Sequence, residues 1–128
     1  MSYDYWVVRP KNLGREIEKI AGESDLLPIG NTTYIKISIS KIFPGIGWKR
    51  EESSRGVVLW GDMPPSCPYL SVLFEDNCEG VLQVHVLTSS RRDTTYDVRK
   101  IAKALRASMV DMQTWQVWHS PNGVDNSA

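Results

Sequence analysis

The chain reads as a single α+β domain, one mostly antiparallel sheet of about five strands with helices packed on one face, in the chain order β-α-α-β-β-β-α-β. Three observations lead there. Short β-branched and aromatic runs alternate at period two and are bounded by glycine, proline and polar turns. Three of these runs follow one another with no helix between them, as in an antiparallel meander. The segments with helical apolar spacing are few and amphipathic, as helices covering one side of a sheet must be. A chain of 128 residues can fold around one core without staples. Residues 1–119 are read as one globular domain and 120–128 as a small, polar, flexible tail.

The elements follow in order. Tyr3 to Val8 is aromatic and β-branched, a strand closed by Arg9-Pro10, because proline has no N–H for the ladder. Lys11 to Glu23 places Leu13, Ile17, Ile20 and Ala21 on one helical face, with Gly22 as a stop. Leu26 to Gly30 is a connector containing Pro28. Asn31 to Phe43 fits two patterns. Ile35, Ile37 and Ile39 alternate like a strand, whereas Ile35, Ile39, Ile42 and Phe43 form a helical stripe behind N-cap candidates Asn31, Thr32 and Thr33. The helix is favoured, and Pro44-Gly45 ends it. Gly47 to Arg55 is polar and is read as a loop.

Gly56 to Trp60, Tyr69 to Phe74 and Val81 to Leu87 make the meander, joined by a proline-rich loop and a polar turn. Asp93 or Thr94 can cap the clearest helix, in which Val98, Ile101, Ala102, Leu105, Met109 and Met112 keep 3.6-residue spacing. A last strand, Trp115 to His119, follows, and the helix before it should be a crossover.

Lysine and arginine together number 15, as do aspartate and glutamate, so the formal net charge is zero. A dedicated nucleic-acid binder usually carries a basic excess, and this balance disfavours that class. The N-terminus lacks the basic lead-in and apolar core of a secretory signal, and no run approaches the ~20 apolar residues of a membrane span. The expected place is the cytoplasm, with no membrane partner and with Cys67 and Cys78 as free thiols.

No motif carries an obvious reaction. Cys67, Cys78, His85 and His119 match no zinc spacing, so no metal is expected. A Cys67–His85 pair is a conceivable nucleophile and base. Cys67, however, sits between Ser66 and Pro68 rather than at a helix N-terminus that would lower its pKa. Gln83 and His85 fall on the wetter face of their strand. No nucleophile elbow or phosphate loop is present, Gly45-Ile46-Gly47 lacking the rest of either glycine fingerprint. The expectation is no catalytic residue and no cofactor. Arg91, Arg92, Arg99, Lys100, Lys103 and Arg106 cluster in sequence, and on the last helix Arg99, Lys103 and Arg106 line one flank. This stripe is read as a solvated helix face, with no interleaved aromatic to stack a base.

Two features point to a binding surface instead. From Gly56 to Ser90 there is no lysine or arginine, while Asp62, Glu75, Asp76 and Glu79 give the meander a formal charge of −4. Carboxylates so placed can attract a cationic protein. Five tryptophans, Trp6, Trp48, Trp60, Trp115 and Trp118, fall in or beside strands. On the last strand one tryptophan must face away from the core, where an aromatic makes an interface anchor. The candidate partner-binding residues are Trp60, Asp62, Glu75, Asp76, Glu79 and Trp118, with Trp60 beside Asp62 as the preferred pair.

Met1-Ser2-Tyr3-Asp4 runs into an aromatic strand, Phe43-Pro44-Gly45-Ile46-Gly47-Trp48 follows the second helix, and Gly56-Val57-Val58-Leu59-Trp60-Gly61-Asp62 opens the meander. Val84-His85-Val86 closes it, and a helix leads to Thr114-Trp115-Gln116-Val117-Trp118. In style and order, over roughly residues 1–119, the chain resembles the small immunity proteins of bacterial polymorphic-toxin and contact-dependent growth inhibition systems. The resemblance implies a protein that neutralises a cognate toxin C-terminal domain by binding it. It also supports the helix at Thr33 to Phe43. It assigns no contact residue, because binding surfaces vary between members. The neutral charge departs from the strongly acidic inhibitors of many nucleases, so the toxin's activity stays open. The alternatives are a nucleic-acid-binding or phage-encoded modulator and a small Cys/His-dependent enzyme.

Overall fold

A computed structural model describes residues 3–10, 26–54, 56–65, 69–77, 79–89, 95–114 and 116–119. The elements are β1 (Tyr3–Pro10), β2 (Leu26–Leu27), α1 (Thr32–Ile42), β3 (Gly47–Ser53) and β4 (Gly56–Asp62). Then come β5 (Leu70–Glu75), β6 (Gln83–Thr88), α2 (Thr95–Ala104), β7 (Ser108–Asp111) and β8 (Gln116–His119). The strands form one eight-stranded sheet in the order β3-β4-β5-β6-β1-β7-β8, with β2 paired to β1. Each of these pairings is antiparallel.

The expected sheet of about five strands with helices packed on one face, and its chain order, are therefore corrected: eight strands and two helices stand among the described residues. The added strands are β2, β3 and β7. β2 is only two residues long. β3 occupies the stretch read as a polar loop and lies at the sheet edge, exposed at every position but Trp48. Charged edge strands of this kind discourage further pairing. β7 occupies what reads as the end of the last helix. That helix stops at Ala104, and Arg106 takes the left-handed conformation, φ 53°. The Arg106 and Ala107 N–H groups donate to the carbonyls of Lys103 at 3.2 Å and Ala102 at 2.8 Å, a Schellman cap. Helix Lys11–Glu23, the Asp93/Thr94 cap, Cys67, Cys78, Trp115 and the tail 120–128 lie outside the described residues.

Asn31 settles the ambiguous segment as α1. Its side chain accepts from the Tyr34 N–H at 2.8 Å, Ile35 and Ile39 are buried, and Gly45 turns the chain away with φ 96°. One core cluster gathers Ile35 and Ile39 of α1, Val98, Ile101 and Ala102 of α2, and Tyr5, Val7, Val72, Phe74, Val84, Val86 and Met109 of the sheet. β1 lies between β6 and β7 and is antiparallel to both, so these two run parallel to each other. α2 is the crossover that links them.

Trp48 ties the charged edge strand down. It stands opposite Gly61, packs edge-on against Phe74 at 5.8 Å, and donates from Nε1 to Ser40 Oγ at 3.1 Å. A Cβ on Gly61 would lie 2.7 Å from Ile46 and 3.1 Å from the Trp48 ring.

Candidate functional site

The register orders the other side of the sheet into rows of directly opposed residues. The central row runs Lys49, Trp60, Leu73, His85, Trp6, Val110 and Val117, across β3, β4, β5, β6, β1, β7 and β8. Beside it lies a second row of Asp62, Ser71, Leu87 and Asp4. On its other flank Glu51, Val58 and Glu75 stand opposite one another. Such opposed side chains sit about 5 Å apart at Cβ and interact directly.

Trp60, Leu73, His85 and Trp6 are half-buried, whereas Asp4, Asp62 and Glu75 are exposed. The Trp6 and His85 rings stack with centroids 5.2 Å apart and planes 11° from parallel. Burial pushes His85 below the ordinary histidine range, against an opposing pull from Asp4 and Glu75. Burial thus favours the neutral imidazole, whereas the carboxylates of Asp4 and Glu75 favour its protonated form. Trp60 Nε1 is buried without a hydrogen-bond partner among the described residues.

A cavity of about 350 Å³ opens on this face. Val58, Leu73 and Leu82 give it apolar walls, and Glu75, Gln83, His85 and Asn77 supply its polar groups. That volume is at the small end of the range for ligand sites, about 300–1,000 Å³. Among the described residues, Glu75 is the one formal charge in the lining.

The candidate partner-binding residues separate into three places. Trp60, Asp62 and Glu75 share this face. Asp62 forms a 2.6 Å ion pair with Lys49, which raises the lysine pKa through that hydrogen bond. Opposite Asp62 is Ser71, four residues from Glu75 and so roughly 13 Å along the strand. Asp76 and Glu79 sit in the turn after β5. Asp76 Oδ1 accepts from Thr32 Oγ1 at 2.6 Å, which ties the turn to α1, and the Glu79 N–H donates to Asn77 Oδ1 at 2.9 Å. Trp118 lies opposite Met109 on the helix side, packs against the main core and has the Arg99 guanidinium 5.2 Å above its ring.

Sequence reasoning placed His85 on the wetter face, where the register sets it. It missed the alignment of Trp6, His85, Leu73 and Trp60, because alternation assigns a face but not which residue on another strand lies opposite. It also missed the Ser108 Oγ to His119 Nδ1 hydrogen bond of 2.6 Å. Ser108 is 3% exposed, so this hydroxyl joins β8 to β7 and is not presented to a substrate. The stripe on α2 does include an aromatic, contrary to the sequence reading: Tyr96 is 69% exposed, with Lys100 Nζ 4.6 Å from its ring centroid.

Among the described residues there is no group of three or more histidine, cysteine, aspartate or glutamate side chains placed to hold a metal ion. No helix among them is long and apolar enough to cross a membrane. No family model, curated protein or solved structure matches the chain.

Proposed function

We propose that this protein is an immunity-type inhibitor that neutralises a cognate bacterial toxin domain in the cytoplasm by direct, non-covalent binding. The docking surface is the sheet face of Trp60, Leu73, His85 and Trp6. The observation that carries this reading is that row of half-buried rings with Asp4, Asp62 and Glu75 exposed beside it. Aromatic groups at the centre of a patch supply much of the energy of protein association, and charges at its margin supply steering and specificity. The acidic margin commits the partner to a cationic surface.

Calorimetric titration of the full chain with the product of the adjacent upstream gene, which this reading requires to carry a toxin C-terminal domain, tests this. A sub-micromolar Kd is expected, weakened about tenfold or more by Trp60→Ala. Absence of binding at micromolar concentrations sinks the reading.

Exposed Tyr96 beside Lys100 favours a second reading, single-stranded nucleic acid held on α2. That reading requires affinity that falls steeply with added salt and is lost in Tyr96→Ala. A flat salt response rejects it.

A further inference from the structure

We propose that the cavity between β4, β5 and β6 receives an arginine side chain of the protein partner, with the guanidinium against Glu75. The identity of the partner rests on the inhibitor reading, whereas the pocket's chemistry does not. Val58, Leu73 and Leu82 form apolar walls that suit a methylene stem. Among the described residues, the only formal charge in the lining is negative. Asp4, which acts with Glu75 on His85, adds a second negative charge.

The acceptors favour arginine over lysine. Glu75 offers two carboxylate oxygens, Gln83 an amide carbonyl and His85 a ring nitrogen, all in one lining, while the Asn77 carbonyl already accepts from the Glu79 N–H at 2.9 Å. An ammonium directs three donors from a single point, whereas a guanidinium spreads five donors over a plane and forks onto a carboxylate. The parallel His85–Trp6 pair adds a flat ring surface of the kind a guanidinium stacks on. The nearest basic group along the central row, Lys49, is already held by Asp62 at 2.6 Å.

The probe is N-acetyl-arginine methylamide, titrated into isotope-labelled full-length protein by NMR. The lysine and citrulline analogues serve as controls. Saturable shifts at the His85 ring and the Gln83 amide are expected, with a Kd on the order of 1 mM. The lysine analogue should bind about fivefold more weakly, and uncharged citrulline should not bind. Glu75→Gln should weaken the arginine probe about tenfold or more, while Glu52→Gln, exposed on β3 and outside the lining, should leave it unchanged. Thermal melts of both variants establish that they fold. No shift, an equal response to citrulline or lysine, or unchanged affinity in folded Glu75→Gln overturns the proposal.

The partner measurement separates this inference from the inhibitor reading. If the arginine probe binds but the toxin domain does not, the pocket stands and the inhibitor reading falls. If the toxin domain binds Glu75→Gln as tightly as the parent chain, the inhibitor reading stands and the arginine pocket falls.

Discussion

Gly61 is required by what lies over it. The Trp48 ring and the end of Ile46 occupy the space a side chain would need. The Ile46 methyl can move, but the indole is fixed between Phe74 and Ser40. Gly61→Ala is expected to lower unfolding free energy by about 1–3 kcal/mol, the usual cost of overpacking, measured by urea denaturation. His85 gives a prediction in pH. Its folded-state pKa lies below its unfolded value, so as pH falls the unfolded chain takes up the proton first. Stability should therefore be undiminished above about 6.5 and decline as pH falls from there toward the folded-state pKa. A His85→Gln variant should show a smaller loss of melting temperature between pH 7 and 5, and an identical loss would refute the assignment.

At the scale of elements, the end of α2 depends on a residue from β1. Arg9 donates to the carbonyls of Leu105 at 2.7 Å, Pro28 at 3.1 Å and Arg106 at 3.2 Å. It thus closes the helix C-terminus and fastens the β2 loop beside it. Arg9→Ala is expected to cost about 1.5–3 kcal/mol in chemical denaturation. Arg9→Lys should not restore it, because one ammonium cannot replace a fork reaching three carbonyls. Arg106 holds a left-handed conformation that suits glycine, and Arg106→Gly should stabilise by up to ~1 kcal/mol in the same assay. The strands that escaped sequence reading did so for different reasons. β3 has only Trp48 partly buried, so it shows no alternation. β7 sends Met109 to one cluster and Val110 to the other. A strand buried on both faces shows an apolar run that continues a helical pattern equally well.

For the whole molecule, a net charge of zero conceals an uneven distribution. Carboxylates collect on the face and turns of β4 to β6, and basic groups collect on α2. In the titration against the toxin domain, Glu75→Lys should weaken binding about tenfold or more. Asp62→Lys should weaken it less, since Asp62 is already paired with Lys49. Thermal melts of both exposed-site variants should stay within about 0.5 kcal/mol of the parent chain. Equal effects of the two substitutions would mean that position along β4 and β5 does not matter to the partner.

The sequence by itself determined local matters: the alternation that turns His85 and Trp60 away from Val84 and Leu59, the acidic character of the meander, and, for α1, a helical stripe with three cap candidates beside a competing strand pattern. These depend on neighbours a few residues apart, where period and capping chemistry act. Only the tertiary structure decided which strands lie side by side. It set β1 between β6 and β7, where Trp6 meets His85, and it placed β3 where Lys49 engages Asp62. Those outcomes depend on register between segments distant in the chain, and register is selected by the packing of the whole sheet.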